Sequence, residues 1–346
     1  MGKKGYFFVF LLGMMMVLSA CSGKTEKASS VKSKQIEATI ENASYIIPSA
    51  LEDKNQDVMA VNLSVKNVSK KPIMLLDKVK LYDEEGVEIS SKLEYYDDAV
   101  GLENNHSGNI GAGKIKKILC IFEAEKDKEY EMGLLPMSAD YEGEQEEVLL
   151  KFDTKKYAKT HSTLKDPEKA FQAYIDQIYL DKENKNYEKL VNADKPALKE
   201  SFKKTFNESI KKLFTEEIPD EELEELFVTY HKVLVEKAKV TAETHAHAND
   251  KAIVTFDVTT VPINYELYDV IRKYENEFRE NTGSFDRKER QKYALSKFET
   301  IINSQELKSN DRKIQVSLTK KDGKWIIENV NKYGDSLDDV IIKGDF

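Results

Sequence analysis

The chain has 346 residues, of which 40% are hydrophobic and 33% charged, with a formal charge of −9. That length suits two domains, and the acidic balance excludes a basic nucleic-acid footprint. It also gives no general attraction to anionic lipid headgroups, while 17 Tyr and 15 Phe are enough to build buried cores.

Residues 1–20 read as a signal peptide. Lys3 and Lys4 form a positive start, and YFFVFLLGMMMV is an apolar run too short for a comfortable membrane span. Leu18-Ser19-Ala20-Cys21 follows and matches the bacterial lipobox, which makes Cys21 the expected lipid-attachment residue. Two or three acyl chains, at ~0.8 kcal/mol per buried CH₂, hold a protein stably on a membrane. Cleavage removes two lysines from the formal charge of −9, leaving −11. Residues 21–35, polar and rich in Ser and Lys, read as a lipidated flexible tether. The mature chain then has one further cysteine, Cys120, in the apolar run IKKILCIFEA. It has no disulfide partner and reads as a buried, inert thiol.

Strand signals run from 36 to 158. Met59, Val61, Leu63 and Val65 alternate with Ala60, Asn62, Ser64 and Lys66, the pattern of a half-buried strand. VKLYDEEGVEI reads as a hairpin about Glu85-Gly86, and IKKILCIFEA, KEYEMGLL and EEVLLKFD follow at short spacing. Many short strands without helix patterns predict a β-sandwich of immunoglobulin-like size. The long loop at 97–114, rich in Gly and Asn, contains His106 and reads as a surface loop, with a binding loop as the alternative.

From 163 to 346 the texture is α+β. Asp166-Pro167-Glu168 opens a helix with Phe171, Tyr174, Ile175 and Ile178 on one face. Asp194-Lys195-Pro196 opens a second, with Leu198, Phe202, Phe206 and Ile210, and Asp220 a third, with Leu223, Leu226, Tyr230 and Leu234. The segment KVTAETHAHANDKAIVTFDVTTV predicts a hairpin, two helical stretches follow, and KIQVSLTKKDGKWIIENV predicts a last hairpin about Asp322-Gly323. Helices followed by antiparallel strands define an α+β domain. Parity places Ile314, Val316, Leu318, Lys320, Trp325 and Ile327 on one face, which the helices must cover. Trp325 is therefore expected as a core residue between sheet and helices; the alternative is a helix–sheet cavity, for which Trp325 and Phe256 are the candidate lining residues.

The pair His245 and His247 raises the question of a metal. With a three-residue loop at 249–251, Val240, Ala242, Ala246 and Ala248 share the buried face with Ala252, Val254, Phe256 and Val258. Glu243, His245, His247 and Asp257 then share the solvent face. These four are the weak candidates for a divalent-metal site, but no HExxH-like framework accompanies them, and a polar, exposed hairpin face is the expectation. His161 falls in loop-like sequence and His231 on a helix flank. No Gly-rich phosphate loop, nucleophile elbow or EF-hand spacing appears, so neither cofactor nor catalytic residue is expected.

With these elements in order, the chain resembles Gram-positive surface lipoproteins of unknown function. VNLSVKNVSKKPI…KVKLYDEEGVEI is similar to the immunoglobulin-like, telokin-like modules of exported proteins. DPEKAFQAYIDQIY…NYEKLV and VSLTKKDGKWIIENV resemble the domain of unknown function that follows in them, itself similar to cystatin-like or nuclear-transport-factor-2-like folds. The helices at 262–308 add to the minimal version of that fold. The resemblance implies no catalytic residues. It implies a non-enzymatic binding or interaction module on the extracytoplasmic face, held to the membrane by its lipid, with an unknown protein or small-molecule partner. A small-molecule binder using the helix–sheet cavity and a metal-dependent hydrolase are the alternatives.

Overall fold

The computed structural model describes residues 29–50, 56–91, 96–103, 108–140, 145–330 and 336–344. Cys21, the signal peptide, most of the tether and His106 lie outside them.

The N-terminal half contains β1 (Ser30–Lys32), β2 (Ile36–Ile46), β3 (Val58–Asn67), β4 (Ile73–Tyr82), β5 (Glu88–Ser90), β6 (Tyr96–Asp97), β7 (Leu102–Glu103), β8 (Ile115–Glu123), β9 (Glu129–Ser138) and β10 (Val148–Asp153). They form two antiparallel four-stranded sheets, β1-β2-β3-β8 and β10-β9-β4-β5, with a small β6-β7 pair beside them. Alternate residues of each sheet meet in one core. Met59, Val61, Leu63, Val65 and Cys120 from the first face Leu81, Met132, Leu134, Leu150 and Phe152 from the second. The β4–β5 turn closes where expected, with Gly86 at φ +80 and the Asp83 carboxylate accepting from the Glu85 and Val87 amides. Cys120 is fully buried, and burial pushes its thiol pKa up.

A 3₁₀ turn and α1 (Ala158–Ser162) lead into the second half. There follow α2 (Asp166–Ile178), α3 (Asn186–Leu190), α4 (Lys195–Lys211), α5 (Asp220–Lys237), β11 (Lys239–Ala248), β12 (Lys251–Thr260), α6 (Tyr265–Thr282), α7 (Arg287–Ser296), α8 (Phe298–Ser304), β13 (Lys308–Ser309), β14 (Ile314–Lys321), β15 (Lys324–Val330) and α9 (Leu337–Lys343). Asp194 caps α4 by accepting from the Ala197 amide. The strands are ordered β11-β12-β14-β15, with β13 beside β12. Phe171, Ile175, Phe206, Tyr230 and Ile271 from the helices and Val254, Phe256, Val316, Leu318 and Trp325 from the sheet share one core. Asp322 and Gly323 both take left-handed φ, as a type I′ turn requires, and Lys320 lies opposite Trp325.

The hydrophobic period alone does not reveal α9. It is held by a capping box between Ser336 and Asp339, and it buries Val340, Ile341 and Ile342. The Thr260 hydroxyl donates to the Ile341 carbonyl and the Ile263 amide to that of Ile342.

The two halves are joined by more than the chain. Ile47 and His247 exchange both backbone hydrogen bonds at 2.8 Å, so the end of β2 pairs with β11. Ile46, Val58, Ala60, Val100, Leu102 and Ile121 pack there against Ala246, Ala248 and Ile253. Ala60, expected on a polar face, is buried for this reason. The His161 Nε2 lies 2.9 Å from Asp57 Oδ1, and its ring stands edge-on to Tyr45.

Candidate functional site

The histidine pair is split. Ala248 pairs with Lys251 across a two-residue turn, not the expected three-residue loop, with Asn249 at φ +53. A β-bulge between Thr244 and Ala246 makes His245 the extra residue. An added residue reverses the parity of the strand. Before the bulge Val240 faces the core and Glu243 faces solvent. After it Ala246 and Ala248 turn to the sandwich, and His247, paired with Ala252, enters the core face. The expectation of an exposed His247 beside Glu243 and Asp257 is therefore corrected. His247 is 7% exposed, its ring lies edge-on to Trp325 at 5.3 Å, and its Nδ1 is 3.0 Å from the Leu164 carbonyl oxygen. Burial pushes its pKa below the ordinary 6.5, reinforced by Lys320 and opposed by the hydrogen bonds to Leu164 and Asn249 and by Asp166. Glu243 stays exposed and pairs with Lys313, Asp257 is exposed, and His245 is half-buried. Among the described residues no three His, Cys, Asp or Glu side chains gather as a metal-holding group.

Trp325 and Phe256, the candidate cavity residues, are core residues. Phe256 packs on Phe171 with ring centroids 4.8 Å apart. Trp325 has no exposed surface; the Lys320 Nζ lies over its ring at 5.3 Å, and its carbonyl accepts from the Asn192 amide. Among the described residues its indole N–H has no hydrogen-bond partner.

A polar cleft lies elsewhere, at the far end of α2. Leu164 lies at His247 and Glu168 accepts from the Thr244 amide, so α2 runs back along β11, away from the junction. Its 13 residues carry it about 20 Å. Beyond its last turn a cleft of about 780 Å³ opens, lined by Gln177, Asp181, Lys182, Glu183, Asn184, Lys185 and Lys195. Asp181 takes φ +48, a conformation that Asp tolerates better than most residues. Burial pushes the Asp181 carboxyl up. The Lys199 hydrogen bond and the charges of His231, Lys199 and Lys195 outweigh this and hold it below the usual carboxylate range. His231 donates from Nε2 to the Tyr179 carbonyl at 2.9 Å and faces Asp181 with Nδ1 at 3.5 Å. Tyr179, two residues before Asp181, also enters a partly buried polar knot. Asp338 of α9 accepts from the Tyr179 hydroxyl at 2.8 Å and the Ser201 hydroxyl at 2.7 Å. Burial pushes the Tyr179 phenol well up, so it remains a donor.

None of Asp181, Lys182, Lys195 or Asp338 stood out in the sequence. The one signal, and for Asp181 and Lys182 alone, is a run of alternating charge, DKENKN, after an amphipathic helix, which is also how an ordinary loop reads.

The sandwich is followed by a helix-and-sheet domain with a polar cleft at its far end, and the strands of each sheet pair antiparallel, unlike the parallel βαβ sheet of a doubly wound nucleotide-binding fold. Residues 157–342 match the domain of unknown function DUF5105, and the chain belongs to that family. It is 25% identical over 343 residues to the uncharacterized lipoprotein YcdA of Bacillus subtilis (strain 168), covering 92% of this chain and 93% of that one. The crystal structure of the ycdA lipoprotein superimposes with a TM-score of 0.64, at 25% identity, over 88% of this chain and 95% of that one. A functionally unknown protein of Listeria monocytogenes matches 37% of this chain and 83% of its own, with 17% identity and a TM-score of 0.28. Among the described residues no helix is long and apolar enough to cross a membrane.

Proposed function

We propose that the chain is a lipoprotein anchored through Cys21 on the extracytoplasmic face. On this reading it acts as a non-enzymatic module that holds a charged ligand or partner in the cleft at Asp181 and Lys195. The observation that carries this reading is where the cleft sits relative to the tether. The chain enters at β1, where Ser30 pairs with Thr39, and the junction lies at Ile47. Eight residues of strand separate the two, about 26 Å. The C-terminal domain lies beyond the junction, and α2 carries the cleft farther still. The sandwich is then a spacer, and the β-bridge and shared apolar cluster keep the display rigid. The titratable groups behind the cleft hold one another in place, which suits binding better than proton transfer. Carboxylate and ammonium groups in one open cleft suit a ligand bearing both charges.

Strand order supports an immunoglobulin-like, telokin-like sandwich. β2-β3-β8 and β10-β9-β4-β5 correspond to the A-B-E and G-F-C-C′ strands of that fold. Helices packed on a five-stranded antiparallel sheet support a cystatin-like or nuclear-transport-factor-2-like relationship for the second domain. The hydrolase reading loses its geometry, because the bulge at His245 removes His247 from Glu243 and Asp257.

A photo-crosslinking residue at Lys185, in intact cells, should capture a partner that the same residue at Lys292 does not. Equal capture at both positions, or none at either with a panel of peptide and amino-acid probes, refutes the cleft as the binding site.

A further inference from the structure

The acidic net charge hides a basic end. At the end of the sandwich away from the junction, one cross-strand row on the outer face of the first sheet reads Lys32–Glu37–Lys66–Ile115. The next row reads Ser30–Thr39–Ser64–Lys117. The turns that close this end add Lys34, Lys70 and Lys114. They lie together, because the Val68 amide donates to the Gln35 carbonyl and the Asn67 amide to that of Lys114. Lys32, Lys34, Lys66, Lys70 and Lys114 are all exposed. The carboxylates among the described residues here are few: Glu37 in the row, Glu41 on Lys117, Asp140 on Lys71, and Glu146 sharing a small cleft with Lys34. Ile115 is 59% exposed in the midst of the lysines, an apolar side chain with no cover. Lysines on edge strands such as β8 also block edge pairing. That does not account for Lys34, Lys70 and Lys114, which sit in turns.

We infer that this end of the sandwich is a docking face for an anionic lipid bilayer, lysines to the headgroups and Ile115 to the interface. The inference rests on the lipoprotein reading, which sets the membrane on this side. From Cys21 to Ser29 the chain spans eight residues, at most about 28 Å when extended. A lipid on Cys21 therefore lies within reach of the lysine rows. The acidic remainder does not cancel them: the Debye length is about 8 Å at physiological salt, the sandwich's own acids Asp57, Asp83, Glu84, Glu85 and Glu125 gather at its junction end, and the second domain begins about 26 Å away. Lipid attachment alone would leave the molecule free to tumble on its tether. A second, electrostatic contact sets it upright, with the cleft facing outward.

The test uses the unlipidated chain from residue 22 onward, sedimented with phosphatidylglycerol or phosphatidylcholine vesicles. Binding to the first, not the second, and release by 0.5 M salt are expected. The triple variant Lys32→Gln, Lys66→Gln, Lys114→Gln should bind about a hundredfold more weakly, since each lysine near an anionic surface contributes about fivefold, or about 1 kcal/mol. A control triple, Lys212→Gln, Lys232→Gln, Lys292→Gln, should stay within twofold of the parent. Equal binding to both vesicles, equal loss in both triples, or no binding to phosphatidylglycerol overturns the inference. So does binding to soluble polyphosphate with vesicles ignored, which would assign the face to a soluble polyanion. The anchor is read separately, from the mass of the Cys21 peptide of membrane-bound protein. An unlipidated Cys21 with vesicle binding intact sinks the anchor and leaves the docking face.

Discussion

Replacing His247 with alanine tests the bulge, the junction and the burial of the histidine together. The substitution removes a ring that stands edge-on to Trp325 and bonds the Leu164 carbonyl. An edge contact between aromatic rings contributes about 0.5–1.5 kcal/mol. A net hydrogen bond contributes about 1 kcal/mol. The void left in a core adds about 1–2 kcal/mol by the scaling of large-to-small substitutions. His247→Ala should thus destabilise the protein by about 3 kcal/mol at pH 8. Urea unfolding followed by the fluorescence of Trp325, the only tryptophan, measures it. The pH dependence adds a second check. The folded pKa lies below the unfolded 6.5, so between them the unfolded chain binds more protons. Stability from this group is present above pH 6.5 and is lost as pH falls through the folded value. The gap between wild type and variant should therefore narrow on acidification below pH 6.5. A difference under 0.5 kcal/mol, of the size surface substitutions give, or a gap constant from pH 8 to pH 5, would refute the reasoning.

Trp325→Ala should destabilise the second domain by about 3–5 kcal/mol, and native Trp325 should emit blue-shifted light that acrylamide does not quench. Red-shifted, quenchable emission would contradict its burial. Asp338→Ala should cost about 2–4 kcal/mol by calorimetry, because it strands the buried Tyr179 hydroxyl, whereas Asp338→Asn should recover part of the loss. Cys21→Ala should release the protein into the medium or leave an unprocessed precursor; processed protein still held on the membrane would exclude the anchor. The fragment 36–158 should fold as β structure alone, yet bind a hydrophobic dye more than the full chain does, because it bares Ile46, Val58 and Ile121.

Much of the fold was legible because it rests on local rules. Alternation in β3, the Asp194 cap of α4 and the Asp322-Gly323 turn act within a few residues, and the structure follows them. The α9 helix was missed although its Ser336–Asp339 capping box is local, because seven residues are too few for a clear period. The cleft was not legible, since Asp181, Lys195 and Asp338 are far apart in the chain and charged runs read alike in sites and in loops.

By itself the sequence determined a β half followed by an α+β half and the faces that most long elements bury, and it set the expectation of lipid attachment at Cys21. Tertiary structure decided the rest. In THAHAND, Ala and His alternate with too little hydrophobic contrast to specify a face, so the parity of the strand was settled by what lay on either side of it. The apolar base of the sandwich took Ala246 and Ala248, the Trp325 side took His247, and a one-residue bulge at His245 reconciled the two. The basic end arose the same way. Its lysines are scattered between positions 32 and 117 in an acidic chain, and only strand pairing brings them onto one surface.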